Sequence, residues 1–221
     1  MYGLIFDVDG VLADSESIIA QATIKMFHDL YEVDLVPQDF HPYIGTGAVR
    51  YVQGPAEDHG VAIDIKQAVA VRHENFVALL ESGVDIALPG THALMDAAAD
   101  SPGWRLGIAT SSPHEKSRAT LQAARVDLEK FDAYIHGDLI THKKPDPEIY
   151  LKAAETLGLC PASCVVVEDA VTGVASGKAA GMKVIAVTNS FATPLLAEAD
   201  LIVDSLQGVS LDTLEGLLAH S

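Results

Sequence analysis

Tyr2-Gly3-Leu4-Ile5-Phe6-Asp7-Val8-Asp9-Gly10-Val11-Leu12 opens the chain with an apolar run that turns abruptly to acid. A short run without alternation reads as a strand buried on both faces, the signature of a parallel sheet covered by helices. Asp7 and Asp9 are two apart, so at a strand end both can serve one site. In an open parallel sheet, ligands bind outside the carboxyl ends of the strands. Reading outward from this end means finding the other strands and asking what each one ends in.

Trp104–Ala109, 133–136, 164–167 and Lys183–Val187 are further Val- and Ile-rich runs, and Leu201–Val203 reads as an edge strand. Helix signals separate them. Ser112-Pro113-His114-Glu115 has the spacing of a capping box with proline in the first turn. Asp146-Pro147 opens a helix that stops at Gly158, a second helix covers 172–180 and stops at Gly181, and Ser210 caps a last one. This alternation predicts an α/β fold, a Rossmann-like parallel sheet with helices on both faces.

Residues 15–80 break the rhythm. Ile18, Ala22, Met26 and Leu30 form one helical stripe, and Val69, Phe76, Leu79 and Leu80 contribute to another. Thr46-Gly47 and Gly54-Pro55 punctuate this stretch, and the strand pattern returns only after Leu88-Pro89-Gly90. We expect a helical insertion at residues 15–86 in a core made of 1–14 and 87–221, with hinges near 13–16 and 86–90. Ser15 and Glu16 at the first hinge read as structural.

The strand ends share a chemistry. Besides Asp7 and Asp9, the Trp104 strand ends in Thr110-Ser111-Ser112, the third is followed by a loop carrying Lys143 and Lys144, and the fourth ends in Glu168-Asp169. Crowded carboxylates repel unless a cation neutralises them. An all-oxygen set suits a hard ion such as Mg²⁺. Thr110 and Ser111, with the N–H groups of a helix starting at Ser112, would cradle an anion. Lysine adds a movable positive charge for phosphate.

These residues resemble the four motifs of the haloacid dehalogenase-like superfamily. Asp7-Val8-Asp9-Gly10-Val11-Leu12 is similar to motif I, Thr110 to motif II, Lys144 before Pro145 to motif III, and Glu168-Asp169 followed by Gly173 to motif IV. The likeness spans essentially the whole chain. The insertion resembles the C1 helical cap of the β-phosphoglucomutase-like and phosphoglycolate-phosphatase-like branch. It implies a hydrolase in which Asp7 attacks phosphorus, forming an aspartyl-phosphate, and Asp9 is the general acid and then base. Mg²⁺ would sit on the Asp7 carboxylate, the Asp9 carbonyl and Asp169, with Glu168 direct or through water. Lys144 and Thr110 would hold phosphoryl oxygens, and Gly10 and Val11 lie in a gating turn. Gly45-Thr46-Gly47 with Arg50 resembles a substrate-contacting cap loop. Arg50 would meet a second anionic group, although an exposed helix arginine explains it equally well.

The implied activity is a phosphatase acting on a small phosphorylated metabolite such as a sugar phosphate. A mutase is the alternative. The β-phosphoglucomutases carry a cap histidine twelve residues beyond the nucleophile, where this chain has Ile19, and without that restraint water is favoured over a sugar hydroxyl. An alternative of another class is a phospho-receiver, which also accepts phosphate on Asp with Mg²⁺. A receiver needs no general acid at the Asp9 position and lacks a helical insertion.

Composition narrows the partners. Fourteen Lys plus Arg against thirty-one Asp plus Glu give a formal charge of −17, with 49% hydrophobic residues. That charge repels nucleic acid and anionic membranes at long range, while the hydrophobic fraction predicts a folded chain. No apolar run approaches the ~20 residues of a membrane helix. The first strand has no basic leader and ends in acids, against a secretory signal. Cys160 and Cys164 lack CxxC spacing and read as reduced thiols, and the nine histidines form no zinc pattern. A cytoplasmic monomer is expected, since a cap that opens and closes fits one.

Overall fold

Every apolar run named above is a strand in the computed structural model, which describes residues 1–44 and 46–219. β1 (Tyr2–Phe6), β2 (Trp104–Ala109), β3 (Ala133–Ile135), β4 (Cys164–Glu168), β5 (Lys183–Val187) and β6 (Leu201–Val203) form one sheet, ordered β3-β2-β1-β4-β5-β6. All pairings are parallel. The α-helices are α1 (Ser15–Tyr31), α2 (Ala48–Asp58), α3 (Ile65–Glu81), α4 (Thr91–Ala99), α5 (His114–Ala123), α6 (Glu148–Leu157), α7 (Val171–Ala179) and α8 (Leu211–Ala219). No helix among the described residues is long and apolar enough to cross a membrane.

The chain divides into two compact units, one of Met1–Ala13 with the residues from Asp85 onward, the other Asp14–Val84. In the first, α6 and α7 pack on each other and on the sheet, as do α4 and α8. Ile5, Cys164, Val166, Val184 and Ala186 share a core with Ile149, Tyr150, Ala153 and Leu157 of α6 and Val174 of α7. Period-two alternation then settles what the next residues do. Asp7 continues the parity of Ile5, and Glu168 that of Val166, so both acids face the side covered by α6. Phe6 is in register with Val167, and the Asp7 N–H donates to the Val167 carbonyl at 3.0 Å. The two carboxylates are therefore neighbours across β1 and β4, where the strand order reverses and such sheets bind ligands.

One helix start differs from its expected place. Ser112 does not cap a helix. α5 begins at His114 with Pro113 as its non-helical neighbour, and the His114 N–H is taken by Asp138 Oδ2 at 2.8 Å. A distant carboxylate supplies the cap and frees the Ser112 hydroxyl. α4, between Gly90 and β2, is a further helix, and it buries Thr91, Leu94, Met95 and Ala98.

In the second unit, Asp14 caps α1 by accepting from the Ser17 N–H and hydroxyl, and Asp64 caps α3 through the N–H groups of Lys66 and Gln67. α1 packs on α3 through Ile18, Ala22, Met26 and Phe27 on one side and Ala68, Phe76 and Leu80 on the other. Gly54-Pro55 does not interrupt the helix, contrary to its reading as a break; both lie within α2. Proline at 55 forfeits one helical hydrogen bond. Glycine at 54 serves a close approach, since a Cβ there would fall 2.2 Å from a ring carbon of Tyr43. That ring cannot easily yield: its hydroxyl donates to Asp58 at 2.5 Å and Arg50 lies 5.0 Å over its face. Gly54→Ala is expected to destabilise by about 1–3 kcal/mol through overpacking, against the ~0.5–1 kcal/mol that alanine normally adds in a helix. Thermal unfolding checks the sign, at about 2–4 °C per kcal/mol.

Candidate active site

At the ends of β1 and β4 the chain concentrates buried charge. Lys144 Nζ lies 2.7 Å from Asp7 Oδ1 and 2.6 Å from Glu168 Oε1. The lysine arrives from the loop before α6 and lies 4.9 Å over the Tyr150 ring. Tyr150, fully buried on α6, donates its hydroxyl to Glu168 Oε1 at 2.6 Å. Glu168 Oε2 accepts the N–H groups of Asp169 and Ala170 at 3.0 and 3.2 Å. Both oxygens of Glu168 are thus engaged, which fixes the carboxylate that anchors Lys144. Asp169 is buried beside it, and its Oδ2 accepts from the Ser190 hydroxyl.

The electrostatics follow from three acids facing one ammonium. Burial pushes the Asp7 carboxyl up to about 7 against the pull of Lys144, with Glu168 and Asp9 adding to the rise. Burial, then Glu168 and Asp7, hold Asp169 well above the carboxylate range. Lys144 is held well above its ordinary value by Asp7 and Glu168, which together outweigh its burial. One ammonium cannot neutralise three carboxylates, and ligand atoms of Asp7, Glu168 and Asp169 lie within 4.8 Å of one another. An all-oxygen, under-neutralised cluster of this kind fits a hard divalent cation.

Asp9 stands apart from that cluster. Its Oδ2 accepts from Ser112 Oγ at 2.8 Å, and Lys116 Nζ lies 3.3 Å from its Oδ1. The Ser112 N–H donates to Thr110 Oγ1 at 3.1 Å, and the Thr110 N–H to the Ile135 carbonyl at 3.0 Å. The helix-start N–H groups expected to back an anion cradle therefore begin at His114, whose own N–H is committed to Asp138. Thr110 is buried and Ser111 half-buried. Gly10 has φ of 76° and a Cβ there would sit 1.8 Å from Asp169 Oδ2, so only glycine suits this turn. Val11, beside it, is buried.

In the second unit, Gly47 precedes α2 with φ of 87°, and Arg50 is exposed and paired with Glu57 at 2.6 Å. Gly45 lies outside the described residues. Ile19 is buried within α1.

Lys116, Tyr150, Asn189 and Ser190 were not singled out from sequence. Lys116 stands four residues after Ser112, one helical turn on. Tyr150 follows Lys144 by six residues in the same helix-opening segment. Asn189 and Ser190 stand just past the end of β5 (Lys183–Val187).

A family model described as haloacid dehalogenase-like hydrolase matches residues 2–181. Hexitol phosphatase A of Escherichia coli is 33% identical over 213 residues, 95% of this chain and 93% of that protein. Protein SUPPRESSOR OF QUENCHING 1, chloroplastic, of Arabidopsis thaliana is 34% identical over 215 residues, 95% of this chain, which spans 20% of that protein's length. Among solved structures, CbbY from Rhodobacter sphaeroides in complex with phosphate is 28% identical with a TM-score of 0.74, covering 97% of this chain and 100% of that one. With four motif segments meeting at the carboxyl end of one sheet and a family model across residues 2–181, the chain belongs to the haloacid dehalogenase-like hydrolases.

Proposed function

We propose that this chain is a Mg²⁺-dependent phosphatase that hydrolyses a small phosphorylated sugar through an aspartyl-phosphate on Asp7. The observation carrying this is Lys144, whose buried ammonium bridges Asp7 and Glu168 at 2.7 and 2.6 Å within an acid cluster it cannot neutralise alone. The names of the relatives, a hexitol phosphatase and a CbbY solved with phosphate, support the substrate class.

In this reading Asp7, Asp169 and the Asp9 carbonyl would hold the cation, with Glu168 beside them. A cation held there would neutralise the acids and supply positive charge for the phosphoryl oxygens. The Asp7 carboxylate attacks phosphorus, the P–O bond to the sugar breaks, and Asp9 protonates the departing alkoxide. Water then attacks the aspartyl-phosphate as Asp9 takes its proton, releasing phosphate and regenerating Asp7. Asp9 must leave Ser112 and Lys116 to do so. Lys144 and the Thr110 hydroxyl meet the charge on the phosphoryl oxygens, which grows toward the transition state.

A panel of phosphorylated sugars, assayed for phosphate release with Mg²⁺ and with EDTA, tests this. Hydrolysis of at least one member that EDTA abolishes is the expected result. Fast isomerisation of β-glucose 1-phosphate with little free phosphate would replace it with the mutase reading. Labelling from acetyl phosphate without turnover would indicate a receiver.

A further inference from the structure

The loop after β5 brings two polar side chains to the site, and the chemistry proposed above uses neither. Ser190 donates its hydroxyl to Asp169 Oδ2, and Asn189 Nδ2 donates to the Gly10 carbonyl at 2.8 Å. Each contact constrains a different wall. A buried carboxylate needs donors in place of lost water. Asp169 Oδ2 is closed in on two sides, by Ser190 and by the Gly10 backbone, where even a methyl would fall 1.8 Å away. Accepting from Ser190 and set against the Gly10 backbone, Oδ2 orients the carboxylate, and Oδ1 is the oxygen a cation would use. Asn189 grips the turn one peptide beyond Asp9, at a glycine whose left-handed φ of 76° sets the direction of the chain there. One loop therefore fixes both the acid and the backbone turn that are to share a cation.

We propose that Asn189 and Ser190 are the outer shell of the cation centre, Ser190 positioning Asp169 and Asn189 positioning the Asp9–Gly10 turn. The assignment rests on the reading that these acids hold a divalent cation. Partners that orient metal-ligating carboxylates typically contribute about 10- to 100-fold in affinity.

Titrating Mg²⁺ into the metal-free full chain by calorimetry, with thermal unfolding as the fold control, tests the assignment without any substrate. Ser190→Ala is expected to weaken Mg²⁺ binding by about 10- to 100-fold. Ser190→Thr, which keeps the hydroxyl, should stay within about threefold of the unaltered chain, a difference small against that range. Ser190→Cys, a weaker donor of similar size, should fall between them and replaces the alanine variant if that one does not fold. Asn189→Ala should weaken binding by a smaller factor. A folded Ser190→Ala that binds Mg²⁺ like the unaltered chain overturns the assignment, and so does a Ser190→Thr as weak as the alanine variant. An unaltered chain that binds no divalent cation overturns the underlying reading of the acid cluster instead.

Discussion

Turnover of a phosphorylated sugar is expected to fall by at least about 10³-fold when Asp7 is replaced by Asn. The carboxamide has nearly the same shape but no charge and little nucleophilicity, so the covalent step is lost while the pocket remains. Lys144 keeps its 2.6 Å contact with Glu168, and the Asn carbonyl can still accept the 2.7 Å bond that Asp7 Oδ1 receives. The variant should therefore fold and bind substrate, with the loss in kcat and not KM. In the unaltered enzyme, acid quenching during turnover should leave a phosphoryl group on the peptide containing Asp7, and the Asn variant should show none. Hydrolysis by Asp7→Asn at the original rate would overturn the covalent scheme whatever the substrate.

Lys144 makes the same point from the other side. Its partners are 137 and 24 residues away in sequence. Nothing local predicts that contact; strand register only brings its two acceptors together, since Phe6 pairs with Val167 and an acid follows each on the α6 side. The sheet was legible because parallel strands buried on both faces are written as unbroken apolar runs, and Tyr2–Phe6 and Lys183–Val187 needed no other signal. The convergence of Asp7, Lys144, Glu168 and Asp169 follows from those runs and from asking what each one ends in.

What was not legible depends on partners far away in the chain. Ser112-Pro113-His114-Glu115 satisfies a local rule for capping, yet the cap comes from Asp138 and the serine hydroxyl goes to Asp9. Local propensity was overridden because the His114 N–H takes the charged Asp138 carboxylate as its acceptor in place of a neutral serine hydroxyl. Gly54-Pro55 misled for a similar reason, the glycine answering to the Tyr43 ring and not to a turn. Asn189 and Ser190 also stand just past a strand end, that of β5. Their roles are set by acceptors 179 and 21 residues away, the Gly10 carbonyl and Asp169 Oδ2, and no local pattern marks such contacts.

Asp169→Asn is expected to move two quantities in opposite directions, lowering turnover by about 10²- to 10³-fold while stabilising the metal-free protein at neutral pH. The second effect follows from the acid's environment. Burial and the charges of Glu168 and Asp7 hold the Asp169 carboxyl well above 3.8, its ordinary value. An acid whose folded value is raised costs nothing at low pH, where both folded and unfolded forms are protonated. The cost appears as pH rises through 3.8, grows by about 1.4 kcal/mol for each unit of the upward shift, and is complete above the folded value. Metal-free protein should thus lose stability toward neutral pH. Asn carries no charge, still accepts from Ser190, and removes this share of the loss, so the gap between variant and unaltered chain should widen from about pH 4 upward. Adding Mg²⁺ should reverse the order. Saturation at about a hundredfold excess over Kd is worth about 2.7 kcal/mol to the chain that binds it and little to the one that does not. Unfolding midpoints at pH 4 and pH 7.5, with EDTA and with Mg²⁺, read all four states. A metal-free Asn variant that melts below the unaltered chain at pH 7.5 would mean that Asp169 is a satisfied structural acid and not one waiting for a cation.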